Sequence, residues 1–174
     1  MSDSRILTFA SVECFTHCEI GMGLHKLSAP YVENRLPVSV SAVMFLPSVY
    51  SIEEVLDIRL PAPKAHINGV KVYDEIGNMN VALILSRVLK EKMGVDISVA
   101  SSAGNGRGTV CLRFNKETFI IRTTNEVRNF PFTDAEKVYR RKAEAVDKTL
   151  LLLKALILGD DIPDFVEVLS NGYG

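Results

Sequence analysis

Residues 8–18, TFASVECFTHC, place a carboxyl, a thiol, a hydroxyl and an imidazole directly behind an apolar run. The thiolate is the nucleophilic form of cysteine, and it is favoured near a helix N-terminus or a protonated histidine. Cys14 stands where a strand hands over to a loop or helix, which makes it a candidate nucleophile at a strand's carboxyl end. The alternative is a buried cysteine acting as a small hydrophobe. A helix beginning just after Cys14 would favour the thiolate through its dipole. His17 lies near one helical turn on, within reach of Cys14 or of a ligand. Glu13 either holds a polar group of a ligand or is simply solvated. Thr16 caps the turn or lends its hydroxyl to a ligand, and Cys18 is read as an inert packing residue. A zinc site from Cys14, His17, Cys18 and His25 has no finger-like spacing and crowds three ligands into one turn, so no metal is expected.

A second constellation is SSAGNGRG, Ser101–Gly108, lying between two strands. Gly104, Gly106 and Gly108 permit backbone conformations closed to other residues. Successive amides in such a loop can form an anion-binding nest. Ser101, Ser102, Asn105 and Arg107 add polar donors suited to a phosphate. The loop is neither a Walker A motif nor a G-x-G-x-x-G fingerprint, and a flexible hairpin loop is the competing reading. A third stretch, INGVKVYDEIGNMN (67–80), carries an Asn68-Gly69 turn followed by Lys71, Tyr73, Asp74 and Glu75. Charges before a helix compensate its dipole, so these residues receive no assigned role.

The elements that must position these groups are legible in part. Strands are expected over Ile6–Val12, Val38–Leu46, Ile97–Ala100, Thr109–Phe114 and Thr118–Thr123, with a short edge element at Val166–Leu169. The first is almost continuously apolar, as a strand covered on both faces should be. Asn115-Lys116-Glu117 predicts a hairpin between the last two long strands. A helix over Asn78–Met93 puts Val81, Ile84, Leu85, Val88 and Leu89 on one face and stops at Gly94. Thr133 and Glu136 have capping-box spacing for a helix running to Leu158, with Gly159 as its stop. Its stripe is Val138, Ala145, Val146, Leu150, Leu153 and Ile157. Leu151, Leu152 and Leu158 fall outside the stripe, which predicts a deeply buried end or a homodimer contact. Ser51 is expected to cap a short helix through Leu56, and residues 59–69 read as a surface loop. Strands mixed with helices at these spacings predict an α/β protein: a three-layer α/β/α sandwich around a mixed sheet.

Composition narrows the function classes. The chain has 174 residues, 47% apolar and 24% charged, with a net charge of −1. That length suits one domain over 1–174 with its own core. Near-neutral charge gives no footprint for nucleic acid or an anionic membrane surface. The run TLLLLKALIL is too short to span a bilayer, and MSDSR has no signal-peptide character. A cytoplasmic location is therefore expected. Three cysteines cannot all pair, and a reducing compartment disfavours disulfides.

The stretches VECFTHCEIGMGLH and INGVKVYDE with SSAGNGRG closely resemble the HcgF proteins of methanogenic archaea, whose motif reads approximately AECFTHGxIGxxxH. The resemblance covers nearly the whole chain, with Val12 in place of Ala and Cys18 in place of Gly. It implies a part in building the iron-guanylylpyridinol cofactor of the mononuclear iron (Hmd-type) hydrogenase. It also implies that the motif cysteine, here Cys14, forms a thioester with the carboxyl group of guanylylpyridinol. Guanylylpyridinol would then be ligand and substrate, with no permanently bound cofactor. A weaker similarity is to the C-terminal domain of CinA, a nicotinamide mononucleotide amidohydrolase with AESCTGG after its first strand. Its serine falls on Cys14, and its glycine-rich loop and final basic, apolar helix occur in the same order. This implies a CinA-like fold.

A free carboxylate is a poor electrophile, so Cys14 needs an activated acid such as an acyl-adenylate. The chain has no recognisable ATP-binding motif. An adenylating partner is therefore required, and the resemblance implies the ubiquitin-activating-like enzyme HcgE. Backbone amides after Cys14 would stabilise the oxyanion, and Ser101–Gly108 would hold the guanylyl phosphate. Two alternatives remain open: a CinA-like hydrolase acting on a pyridine nucleotide amide or ester, and a non-catalytic protein that binds a nucleotide ligand.

Overall fold

The computed structural model describes residues 5–169. The first four residues, most of MSDSR, and the last five lie outside the described residues, so the expected domain is described only between those limits. In chain order the elements are β1 (Leu7–Glu13), α1 (Glu19–Ser28), β2 (Val38–Phe45), α2 (Val49–Leu56), β3 (Ala65–Ile67), β4 (Val70–Val72), α3 (Glu75–Met93), β5 (Ile97–Ser102), β6 (Gly106–Phe114), β7 (Glu117–Val127), α4 (Ala135–Leu158) and β8 (Val166–Leu169). Six strands form one sheet in the order β2-β1-β5-β6-β7-β8. β1 runs parallel to β2 and β5, and the remaining neighbours are antiparallel, so the sheet is mixed as expected.

Alternation along β1 sorts its side chains into two cores. Phe9 packs with Val99, Val110, Phe119, Leu24, Ala145 and Leu153 under α1 and α4. Ala10 and Val12 pack with Ile52, Leu56, Val81, Leu85 and Leu89 under α2 and α3. From Phe9 onward β1 is buried on both faces of the sheet, which explains its nearly continuous apolar run. The result is the three-layer α/β/α arrangement.

Several boundaries differ from expectation for local reasons. α1 escaped prediction because Gly21 and Gly23 lower its intrinsic helix propensity. α3 starts three residues before Asn78, since Asp74 rather than a later residue caps it by accepting from the Gly77 amide at 2.8 Å. Asp134, not Thr133, caps α4 through the Glu136 amide, and Ser48, not Ser51, caps α2. Each true cap is the residue whose short side chain meets an unpaired amide of the first turn. Residues 59–69 are not all loop: β3 and β4 form a small ribbon about Asn68-Gly69, both at positive φ. On α4, Leu152 is buried, while Leu151 and Leu158 stay exposed. No helix among the described residues is long and apolar enough to cross a membrane.

Candidate active site

The connections out of β1 and back to it leave in opposite directions. β1 leads through α1 to β2 on one side, and the chain returns through α3 to β5 on the other. Such a switch point opens a crevice at the strands' carboxyl ends, where ligands bind in open α/β sheets. Cys14 is the first residue beyond β1 at that point. Glu13 pairs with Ser101 in the ladder, so the β5–β6 turn emerges at the same end.

Glu13 is neither solvated nor open to a ligand. It is fully buried, and its carboxylate accepts from Ser11 Oγ at 2.8 Å, Thr16 Oγ1 at 2.7 Å, the Ile20 amide at 3.1 Å and the Gly21 amide at 2.8 Å. These four donors occupy the lone-pair directions of a carboxylate. Two of them are first-turn amides of α1, whose partial positive charge favours the anion. Gly21 permits this approach: a Cβ there would stand 2.4 Å from a Val43 methyl carbon and 2.9 Å from Ser11 Oγ.

The hydroxyls extend the same brace. Thr16 has one proton, spent on Glu13, so Ser101 must donate across their 2.7 Å contact. Ser101 Oγ in turn accepts from the Cys14 amide at 3.2 Å, and Ser101 O accepts from it at 3.3 Å. Thr16 therefore holds the turn through its side chain, and its hydroxyl proton is committed to Glu13 and not to a ligand. Helix α1 begins only at Glu19, five residues after Cys14, with His17 and Cys18 both at positive φ. Cys14 itself is 7% exposed. Its own amide is committed to Ser101, whereas the amides of Phe15 and Thr16 have no acceptor among the described residues.

The neighbouring thiol and imidazole are tuned differently. Burial, and then the negative charge of Glu13, push the Cys18 thiol up, which makes it a poor thiolate. His17 is exposed and sits edge-on to the Phe45 ring. Partial burial of its ring against the protein and then the positive Lys142 lower its pKa, against Glu19 and Glu13. His25 lies in the last turn of α1, and no cluster of metal-ligating side chains occurs among the described residues.

The glycine-rich turn is built by its neighbours. Ser102 donates to Asn78 Oδ1 at 2.9 Å, and Asn78 Nδ2 donates to Tyr73 O. The Asn105 amide donates to Tyr73 O, and Asn105 Oδ1 accepts from the Phe130 amide. Arg107 gives both its amide and Nε to Glu75, and the Gly108 amide donates to Thr123 Oγ1. The amides of Asn105, Arg107 and Gly108 are thus engaged within the chain. Lys71 is buried with Nζ directed at the carbonyls of Leu46 and Pro47, and the Tyr73 hydroxyl donates to Pro61 O.

Sequence reasoning missed Arg141. It projects from α4 with 1% exposure, and its Nη1 donates to Gly104 O at 2.7 Å and Gly106 O at 2.8 Å. Its guanidinium lies 5.6 Å from the centre of the Phe15 ring. Burial brings its pKa down to about 10, against an upward pull from the nearby Cys14 sulfur. The available signal was an arginine on the otherwise apolar stripe of α4, between Val138 and Ala145. In VYRRKAEA it reads as one of several surface cations.

Residues 6–157 match the family model described as HcgF, FeGP cofactor biosynthesis protein. A UPF0254 protein of Methanocaldococcus jannaschii is 29% identical over 181 residues, covering 97% of this chain and 99% of its own. One from Methanococcus maripaludis is 34% identical over 178 residues, with the same two coverages. Among solved structures, a competence or damage-inducible protein from Enterobacter asburiae has a TM-score of 0.58 at 14% identity, over 87% of this chain and 88% of that one. A competence-damaged protein (CinA) superfamily protein from Escherichia coli has a TM-score of 0.56 at 13% identity, over 87% and 81%. The last two likenesses are of fold alone, and they agree with the CinA-like layers expected from the sequence.

Proposed function

The chain belongs to the HcgF family of FeGP cofactor biosynthesis proteins, and from that premise we propose that Cys14 accepts the activated carboxyl group of guanylylpyridinol as a thioester. The observation that supports this most directly is the placement of Cys14 at the switch point beyond β1, on a turn braced by Glu13, Thr16 and Ser101. The acid arrives as its adenylate from an HcgE-like enzyme. The Cys14 thiol passes its proton to solvent and the sulfur attacks the carbonyl carbon. The bond from that carbon to the phosphate oxygen then breaks, and AMP leaves with the electron pair. The amides of Phe15 and Thr16 are the donors available to the developing oxyanion.

In this reading the ligand lies across the rim made by Cys14–His17 and the turn Ser101–Gly108. Glu13, Thr16, Ser101 and Ser102 act by holding that rim. His17 and Arg107 are its exposed polar groups. Self-association through the α4 face bearing Leu151 and Leu158 belongs to the same proposal, and the mass in solution tests it.

The test is intact-mass analysis after incubation with guanylylpyridinol, ATP and the adenylating enzyme. The expected gain is the ligand mass less one water, reversible by hydroxylamine, retained in Cys18→Ser and lost in Cys14→Ala. An unchanged mass in the wild type, or an adduct that persists in Cys14→Ala, refutes the assignment. Repeated release of product without the partner enzyme would instead favour a hydrolase.

A further inference from the structure

We infer that Arg141 makes an anion-binding subsite beside Cys14, one that receives a carboxylate or phosphate group of a small molecule. An arginine with 1% exposure ordinarily faces a carboxylate, because burying an unpaired charge is costly. Arg141 has no such partner among the described residues. Its fork is half used: Nη1 is held by the carbonyls of Gly104 and Gly106, while Nε is buried without an acceptor. A guanidinium presents paired donors that match two oxygens of a carboxylate or phosphate. The two glycine carbonyls fix its position, and the Phe15 ring lies against its face.

The surroundings favour the same charge. Phe15 follows Cys14 directly, and its amide and that of Thr16 are also without acceptors among the described residues. The turn therefore reverses the role read from its sequence. Gly104 and Gly106 offer carbonyls to a cation, and that cation, with the amides after Cys14, is what meets the anion. This inference does not depend on acyl transfer at Cys14.

Alkylation of Cys14 by iodoacetate and iodoacetamide tests it on the full chain. In both reactions a bond forms from sulfur to carbon, the carbon–iodine bond breaks, iodide leaves and the thiol proton passes to solvent. The reagents differ chiefly in the carboxylate. Peptide mapping gives the rate at Cys14, and the ratio of iodoacetate to iodoacetamide is compared with that of N-acetylcysteine. The expected ratio at Cys14 is about tenfold higher, of the order of one charge-assisted contact. It should fall to the N-acetylcysteine value in Arg141→Gln and recover in part in Arg141→Lys. Inorganic phosphate and benzoate serve as competitors. Protection by phosphate alone assigns the subsite to phosphate, and protection by benzoate alone assigns it to a carboxylate. A wild-type ratio equal to that of N-acetylcysteine overturns the inference. So does a raised ratio that survives in a folded Arg141→Gln. If Arg141→Gln does not fold, the wild-type ratio and Arg141→Lys decide the matter.

Discussion

Replacing Glu13 with Gln tests whether this carboxylate is a brace or a ligand contact. The substitution keeps the shape and one carbonyl oxygen, but sets an NH₂ against two of the four donors. Whichever way the amide turns, it faces one hydroxyl, from Ser11 or Thr16, and one backbone amide, from Gly21 or Ile20. A hydroxyl can rotate to accept, but a backbone N–H cannot, and leaving it buried and unpaired costs about 1–3 kcal/mol. The two bonds that remain lose their charge assistance, roughly 1 kcal/mol each. The sum is about 3–5 kcal/mol, a large part of the 5–15 kcal/mol typical of a native protein. For a chain of this length it lowers the melting temperature by roughly 10 °C. Thermal and urea unfolding of wild type, Glu13→Gln and Ser11→Ala measure this, with Ser11→Ala expected to cost about 1 kcal/mol. The turn after β1 should loosen as well, so Cys14 alkylation by iodoacetamide should change while that of N-acetylcysteine does not. A melting temperature within about 2 °C of wild type, a shift worth less than about 1 kcal/mol at this size, would refute the brace. Weakened ligand binding without loss of stability would return Glu13 to the role of ligand contact.

Gly108→Ala places a Cβ 2.6 Å from the Phe15 ring, so the ring must move, and a loss of about 1–3 kcal/mol is expected by chemical unfolding. Burial raises the pKa of Glu144, but Lys148, the amides of Thr124 and Asn125 and the Asn125 side chain outweigh it and bring it to about 2. Its stabilisation is thus complete above the ordinary carboxylate value near 4.5 and fades as pH falls towards about 2. Glu144→Gln should accordingly flatten the dependence of urea midpoint on pH across that window. An unchanged slope would contradict the argument. Burial pushes the Cys111 thiol up to about 11, so mapping after alkylation at pH 8 should find Cys111 unmodified in the native protein and modified in urea. The lowered pKa of His17 should rise in Lys142→Gln, as read by NMR titration, since that removes a neighbouring positive charge.

The sequence by itself determined the six strands of the main sheet, the apolar stripes that face its cores and the place of Cys14. Periodicity and turn residues are local, and local forces settle them. The apolar run of β1, the Asn115-Lys116 turn and the stops at Gly94 and Gly159 were all legible for that reason. Caps were legible to within a few residues, because several short polar side chains compete for the same first-turn amides. Helix α1 was not legible, because its stability comes from Glu13 across a turn and from the close packing that Gly21 permits. Only the tertiary structure decided what the polar residues near Cys14 do. Glu13, Thr16 and Ser101 looked available to a ligand, yet each is spent on bonds to the chain. Arg141 looked like a surface cation, yet it is buried with its guanidinium 5.6 Å from the ring of Phe15, the residue after Cys14 and far from Arg141 in sequence. Whether a donor or acceptor is free is a property of what surrounds it, and those surroundings are assembled from β1, the β5–β6 turn and α4 only when the sheet closes.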